Sequence, residues 1–128
     1  MEKAIEIKVD LGKYKYVDLE LDKAINLIEK IIEEKGETID LSETLRFLKN
    51  FDEFYNYMKK KFKDFLTPPK SSEDLLLGRV VVDKVKLYVS NNTKRVVIVF
   101  DRRVDLDFIK KMLQDLGYSE IKIHREFY

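Results

Sequence analysis

Few residues in this chain can do chemistry. It carries one histidine, His124, and no cysteine, which removes thiolate nucleophiles, disulfides and cysteine-based zinc sites together. The four glycines, Gly12, Gly36, Gly78 and Gly117, are scattered at breaks between periodic segments, so no glycine cluster cradles a phosphate. Carboxylates are what remain. Asp101 stands just past the apolar run 95–100, at the carboxyl end of a strand, where open α/β sheets bind ligands. Asp105 and Asp107 follow it, and Glu120-Ile121-Lys122 lies on the strand expected to be its neighbour. Oxygen ligands gathered there would suit Mg²⁺ and hold water against a phosphodiester. Asp101, Glu120 and Lys122 are thus the catalytic set of one alternative, a Mg²⁺-dependent nuclease or phosphodiesterase. Against it, an acid-x-Lys triplet is common by chance, and Asp105 has a plainer duty as a helix cap. A single histidine lacks the further ligands of a zinc site. The first expectation is no catalytic residue, no metal site and no cofactor.

Binding is the next possibility. Lys94, Arg102, Arg103, Lys110 and Lys111 are the residues expected to meet phosphates if the ligand is nucleic acid, since such contacts need only clustered, accessible positive charge. Lys13-Tyr14-Lys15-Tyr16 interleaves basic and aromatic residues, as single-strand binders do. Tyr14 and Tyr16 share one face of a strand whose other face carries Val17 and Leu19. They form a stacking platform only where their face is uncovered. Lys59, Lys60, Lys61 and Lys63 make a basic patch whose simplest role is to complement a helix C-terminus. Seven of the fifteen aromatic residues fall between Phe47 and Phe65. At helical spacing that stripe is first of all core; otherwise part of it packs on a second copy or a partner.

The elements that must position these residues follow from periodicity. Ile5, Ile7, Val9 and Leu11 alternate with charges, Gly12-Lys13 turns the chain, and 14–19 reads as the returning strand. Leu21, Ala24, Ile25, Ile28, Ile31 and Ile32 recur at helical spacing, with Asp22 as cap and Gly36 as stop. Asp40 with Glu43 resembles a capping box, and one helix, with room for a bend near Phe51, is expected from about 41 to 66. The alternative is a second helix capped by Asp52. Pro68-Pro69 stops the helix, and Ser72 opens a short helical turn closed by Gly78. Val85, Leu87 and Val89 alternate, Asn91-Asn92 makes a hairpin, and 95–100 is apolar on both faces, as in a sheet covered on both sides. Asp105 caps a last helix ended by Gly117, and Ile121, Ile123 and Phe127 mark a final strand with His124 on its polar face. The order β-β-α-α-(short α)-β-β-α-β predicts a mixed sheet of about five strands packed with helices, an α+β or α/β fold. Strands 95–100 and 119–127 are expected to pair in parallel through a right-handed crossover.

Composition bounds the rest. The 128 residues suit one domain, with a subdomain break near 67–72 as the alternative. The net charge of +1 lacks the basic excess that by itself announces nucleic-acid binding. No apolar segment approaches the roughly 20 residues that span a bilayer, and no leader-like start is visible, so a cytoplasmic location without membrane attachment is the expectation. Gln114 is the only glutamine beside abundant Lys, Glu and Ile, a bias that suits a thermophile. The reading that fits so few catalytic residue types is a small, non-enzymatic interaction module. It would self-associate as a homodimer, or bind a protein partner, through the aromatic helix or an unpaired strand edge. A nucleic-acid-binding accessory protein is the second expectation.

Overall fold

The computed structural model of the chain describes residues 4–10 and 13–126. Leu11, Gly12 and Phe127, assigned above to a strand end, a turn and a final strand, lie outside the described residues. Alternating apolar and polar residues make β1 (Ala4–Asp10), β2 (Tyr14–Glu20), β3 (Val82–Ser90), β4 (Thr93–Phe100) and β5 (Glu120–Glu126). Apolar stripes make α1 (Leu21–Lys35), α2 (Ile39–Lys49), α3 (Phe51–Lys60), the short α4 (Ser72–Leu76) and α5 (Leu106–Asp115). The strands form one mixed sheet in the order β3-β4-β2-β1-β5. Only β1 and β5 pair in parallel; the other three pairings are antiparallel. This is the α+β class that the element order predicts. Asn91 and Asn92 take φ of 52° and 61°, the positive pair that a two-residue β3–β4 hairpin demands. None of the described helices is long and apolar enough to cross a membrane.

The core lies on one side of the sheet. Ile7, Val17, Leu19, Val85, Leu87, Val96, Ile98 and Phe100 point to a common face and pack into one cluster with Ala24, Leu27, Ile28, Ile31, Leu41, Leu48, Ile109, Met112 and Leu113 of the helices. Val97 and Val99, on the opposite face of β4, are not in that cluster. The expectation of helices on both faces of β4 is thus corrected: among the described residues, helices pack on one face of the sheet.

Two further expectations change. The β4–α5–β5 crossover carries β5 past β2 and β1, so β5 pairs with β1 and not with β4. The helix expected over 41–66 is two helices, because Asn50 leaves the helical region (φ −117°, ψ 45°). Its backbone N–H reaches the Arg46 carbonyl at 3.1 Å and its side-chain amide donates to the same oxygen at 2.9 Å. The second helix of the alternative is present, but it starts from Asn50, with Asp52 in the first turn of α3. α3 stops at Lys60, and Leu66 pairs outside any helix, its N–H reaching Val85 O at 2.8 Å and Val85 N–H returning at 2.9 Å.

Caps shift by a residue or two. Glu20 precedes α1, Thr38 caps α2 and Ser71 caps α4, while Asp105 caps α5 as expected. The α2 shift has a physical cause. Asp40 is fully buried and accepts from the N–H groups of Val81 and Val82, each at 2.8 Å, and from the Thr38 hydroxyl at 2.6 Å. It ties the start of α2 to the entry of β3.

Candidate interaction surfaces

The carboxylates and basic residues singled out above sit on different parts of this frame. Asp101 follows the last residue of β4, whereas Glu120 is the first of β5. The pairings make β4 and β5 run in the same direction, so these positions lie at opposite ends of the sheet. Three strand spacings of about 4.8 Å separate them sideways as well. Asp101 is occupied in its own loop: its Oδ1 accepts from Arg103 N–H at 2.9 Å and from Arg103 Nε at 3.1 Å. Glu120 and Lys122 are exposed on β5. Asp105 Oδ1 accepts from the Asp107 N–H at 3.3 Å, a capping contact. Among the described residues no three His, Asp or Glu side chains come together in a way that could hold a metal ion.

The basic set is dispersed too. Lys94 is the second residue of β4 and pairs with Asp52 at 2.9 Å, while Arg102 and Arg103 lie past its other end, about 25 Å away at 3.3 Å per strand residue. Arg103 donates to Leu75 O at 3.1 Å besides its bonds to Asp101. Lys110 and Lys111 follow on α5. Lys15 turns into the loop after β4, its ammonium donating to the carbonyls of Val104 (2.9 Å) and Arg102 (3.2 Å).

The aromatic stripe is mostly core. Phe47, Phe51 and Met58 are buried, Phe51 stacks on Tyr55, and Phe54 and Tyr55 pack against the core cluster. Tyr57, 44% exposed, and above all Phe62, 95% exposed, are the exceptions. The support that the stripe lent to a helix-mediated interface therefore shrinks to its last turn.

What emerges instead is the uncovered face of the sheet. Register fixes its rows. Lys84, Val99, Tyr16, Lys8 and His124 run side by side across the five strands. Beside them run Lys86, Val97, Asp18, Glu6 and Lys122. Tyr14 lies at the end of the same face, 39% exposed. Thus the tyrosines of the Lys-Tyr-Lys-Tyr run are on the uncovered side, and Lys8 Nζ stands 5.9 Å from the Tyr16 ring. His124 faces this side, with Nδ1 3.7 Å from Glu6 Oε1. The sequence showed this alternation, but the sheet order, which decides what shares a row, had no local signal.

Asp18 organises one end of the face. It accepts from Tyr88 Oη and from Arg95 Nε, the latter at 2.9 Å. Burial, reinforced by the bond to the Asp18 carboxylate, raises the Tyr88 phenol above its ordinary value. A raised value in the folded state means stability present below the ordinary tyrosine value of about 10 and lost as pH climbs through the raised one. Urea midpoints followed upward from about pH 9 are expected to fall less steeply in Tyr88→Phe than in the native chain. Equal slopes would show that Tyr88 does not carry that loss.

No family model, curated protein or solved structure matches this chain.

Proposed function

We propose that this protein is a non-enzymatic interaction module that pairs with a second copy of itself through the uncovered face of its sheet. The observation that carries this reading is the apolar centre of that face. Val97, outside the core cluster, is left only half-buried at that centre, while Val99 beside it is already buried at 7% exposed. Around them charges of both signs are interspersed: Glu6, Asp10 and Asp18 against Lys8, Lys84 and Lys86. A polyanion would meet repulsion from those carboxylates. A second copy, turned by a two-fold rotation, brings acid to base and apolar centre to apolar centre.

Size exclusion with light scattering is expected to show a dimer. Val97→Asp replaces the apolar centre by a carboxylate that must be desolvated beside Asp18, which is expected to weaken pairing by about 10-fold or more. The substitution touches no core residue, so circular dichroism should be unchanged. A native chain that stays monomeric at high concentration defeats the reading, and a dimer indifferent to Val97→Asp defeats the choice of face.

A second reading, single-stranded nucleic acid, draws on Tyr14 and Tyr16 lying on the uncovered face beside Lys8. It requires a 260 nm excess on the purified protein that high salt removes.

A further inference from the structure

The outer edge of β3 is a second surface, adjoining the sheet face at Lys86 and Tyr88. Its first half is already covered. Leu66 and Val85 exchange both backbone hydrogen bonds, and Lys70 Nζ donates to Asp83 O at 3.0 Å. Alternation along an antiparallel strand turns the peptide groups of every second residue the same way. Those of Leu87 and Val89 therefore point outward like those of Val85, and they have no partner among the described residues. An open edge of this kind is a template for an added strand.

Beside it runs a groove of about 450 Å³, walled by Tyr55, Met58 and Phe62 on one side and by Leu87 and Tyr88 on the other. Phe62 is held there against its own preference. It has φ of 53°, in the left-handed region that favours glycine, within a helix-ending turn. In that turn Phe62 N–H reaches Lys59 O (3.3 Å) and Lys63 N–H reaches Met58 O (2.9 Å). Glycine would serve the turn better. The chain instead keeps a phenyl ring, 95% exposed, at the mouth of the groove, and a strained residue retained at a concave surface points to use. The rim is basic: Lys59, Lys63 and Lys86 against the single carboxylate of Asp64. Neither Lys63 nor Lys86 makes an ion pair among the described residues.

We propose that the open half of the β3 edge binds an acidic, extended segment of a partner protein as an additional strand. Backbone groups of Leu87 and Val89 supply the pairing. Alternate apolar residues of the segment lie against Tyr55, Met58 and Phe62, and its acidic residues, on the opposite face, stand beside Lys86. The charge of the rim selects against basic segments.

The test uses fluorescein-labelled octapeptides titrated into the full chain by anisotropy: alternating Glu-Val, alternating Lys-Val, and Glu-Val with alternate amides N-methylated. Saturable binding of the first is expected, at least ten-fold weaker for the other two. Phe62→Gly should melt no lower than the native chain yet bind the Glu-Val peptide at least ten-fold more weakly, and Lys86→Glu should behave alike. No binding of the Glu-Val peptide, equal binding of the Lys-Val peptide, or indifference to N-methylation or to Phe62→Gly overturns the proposal. Loss of a homodimer in Phe62→Gly would assign the edge to a second copy and overturn it too. Lys86 borders both surfaces, so Lys86→Glu bears on both, whereas Phe62→Gly touches only the edge and Val97→Asp only the face, and those two variants tell the surfaces apart.

Discussion

Asp40→Ala is expected to lower stability by about 3–5 kcal/mol, each stranded buried donor costing about 1–3 kcal/mol. The carboxylate reaches the backbone N–H of both Val81 and Val82 at 2.8 Å, and its residue is fully buried. Alanine removes Oδ2, the one oxygen that both amides share, and leaves both donors stranded. The Thr38 hydroxyl loses its 2.6 Å acceptor in the same step, which loosens the cap of α2. Asp40→Asn keeps one oxygen for the two amides and should cost less, about 1–2 kcal/mol, the ordinary scale of a single net hydrogen bond. Urea unfolding of both variants gives the order. A loss below about 1 kcal/mol in Asp40→Ala would mean that the N–H groups find other partners.

Asp40 also shows where sequence reasoning reaches its limit. Its type and place near a helix start are visible locally, and they suggest a cap. That its oxygen is claimed by amides some forty residues away is a tertiary fact with no local trace. The same boundary runs through the rest of the fold. Strand alternation, the Asn91-Asn92 hairpin and the Asp105 cap follow from neighbours in sequence, and the structure agrees with each. The split of the long helix at Asn50 is a contest between an apolar stripe that keeps phase and a residue that leaves the helical region, and the stripe alone does not decide it. Sheet order is less legible again. Ile5 and Ile7 alternate in a way that suits any strand with one buried face, so nothing local says that β1, rather than β4, receives β5. Once β5 moves, Glu120 and Lys122 leave Asp101, and the metal-dependent arrangement has no place to assemble. The Lys-Tyr-Lys-Tyr run divides for the same reason. Tyr14 and Tyr16 go to the uncovered face, while Lys15 is drawn off to the carbonyls of Arg102 and Val104.

The two faces of β4 offer the sharpest measure of that arrangement. Ile98 and Val97 are adjacent, both aliphatic, and indistinguishable by pattern. Ile98 is fully buried in the core cluster, flanked in register by Val17 and Val85. Ile98→Ala is expected to cost about 2–5 kcal/mol, the range for truncating a fully buried aliphatic residue that leaves a cavity. Val97 is half-buried on the uncovered face between Asp18 and Lys86. In an isolated chain Val97→Ala removes little buried surface and should cost no more than about 1 kcal/mol. Pairing changes this second value and not the first, because what binds only the folded state adds to its stability in proportion to the logarithm of concentration. If Val97 lies in a contact between two copies, its apparent cost rises with protein concentration, whereas that of Ile98 holds steady. Unfolding both variants at two concentrations about a hundred-fold apart reads the difference directly. A Val97 cost that stays the same at every concentration would mean that no second copy covers this face, and the case for pairing there would be lost.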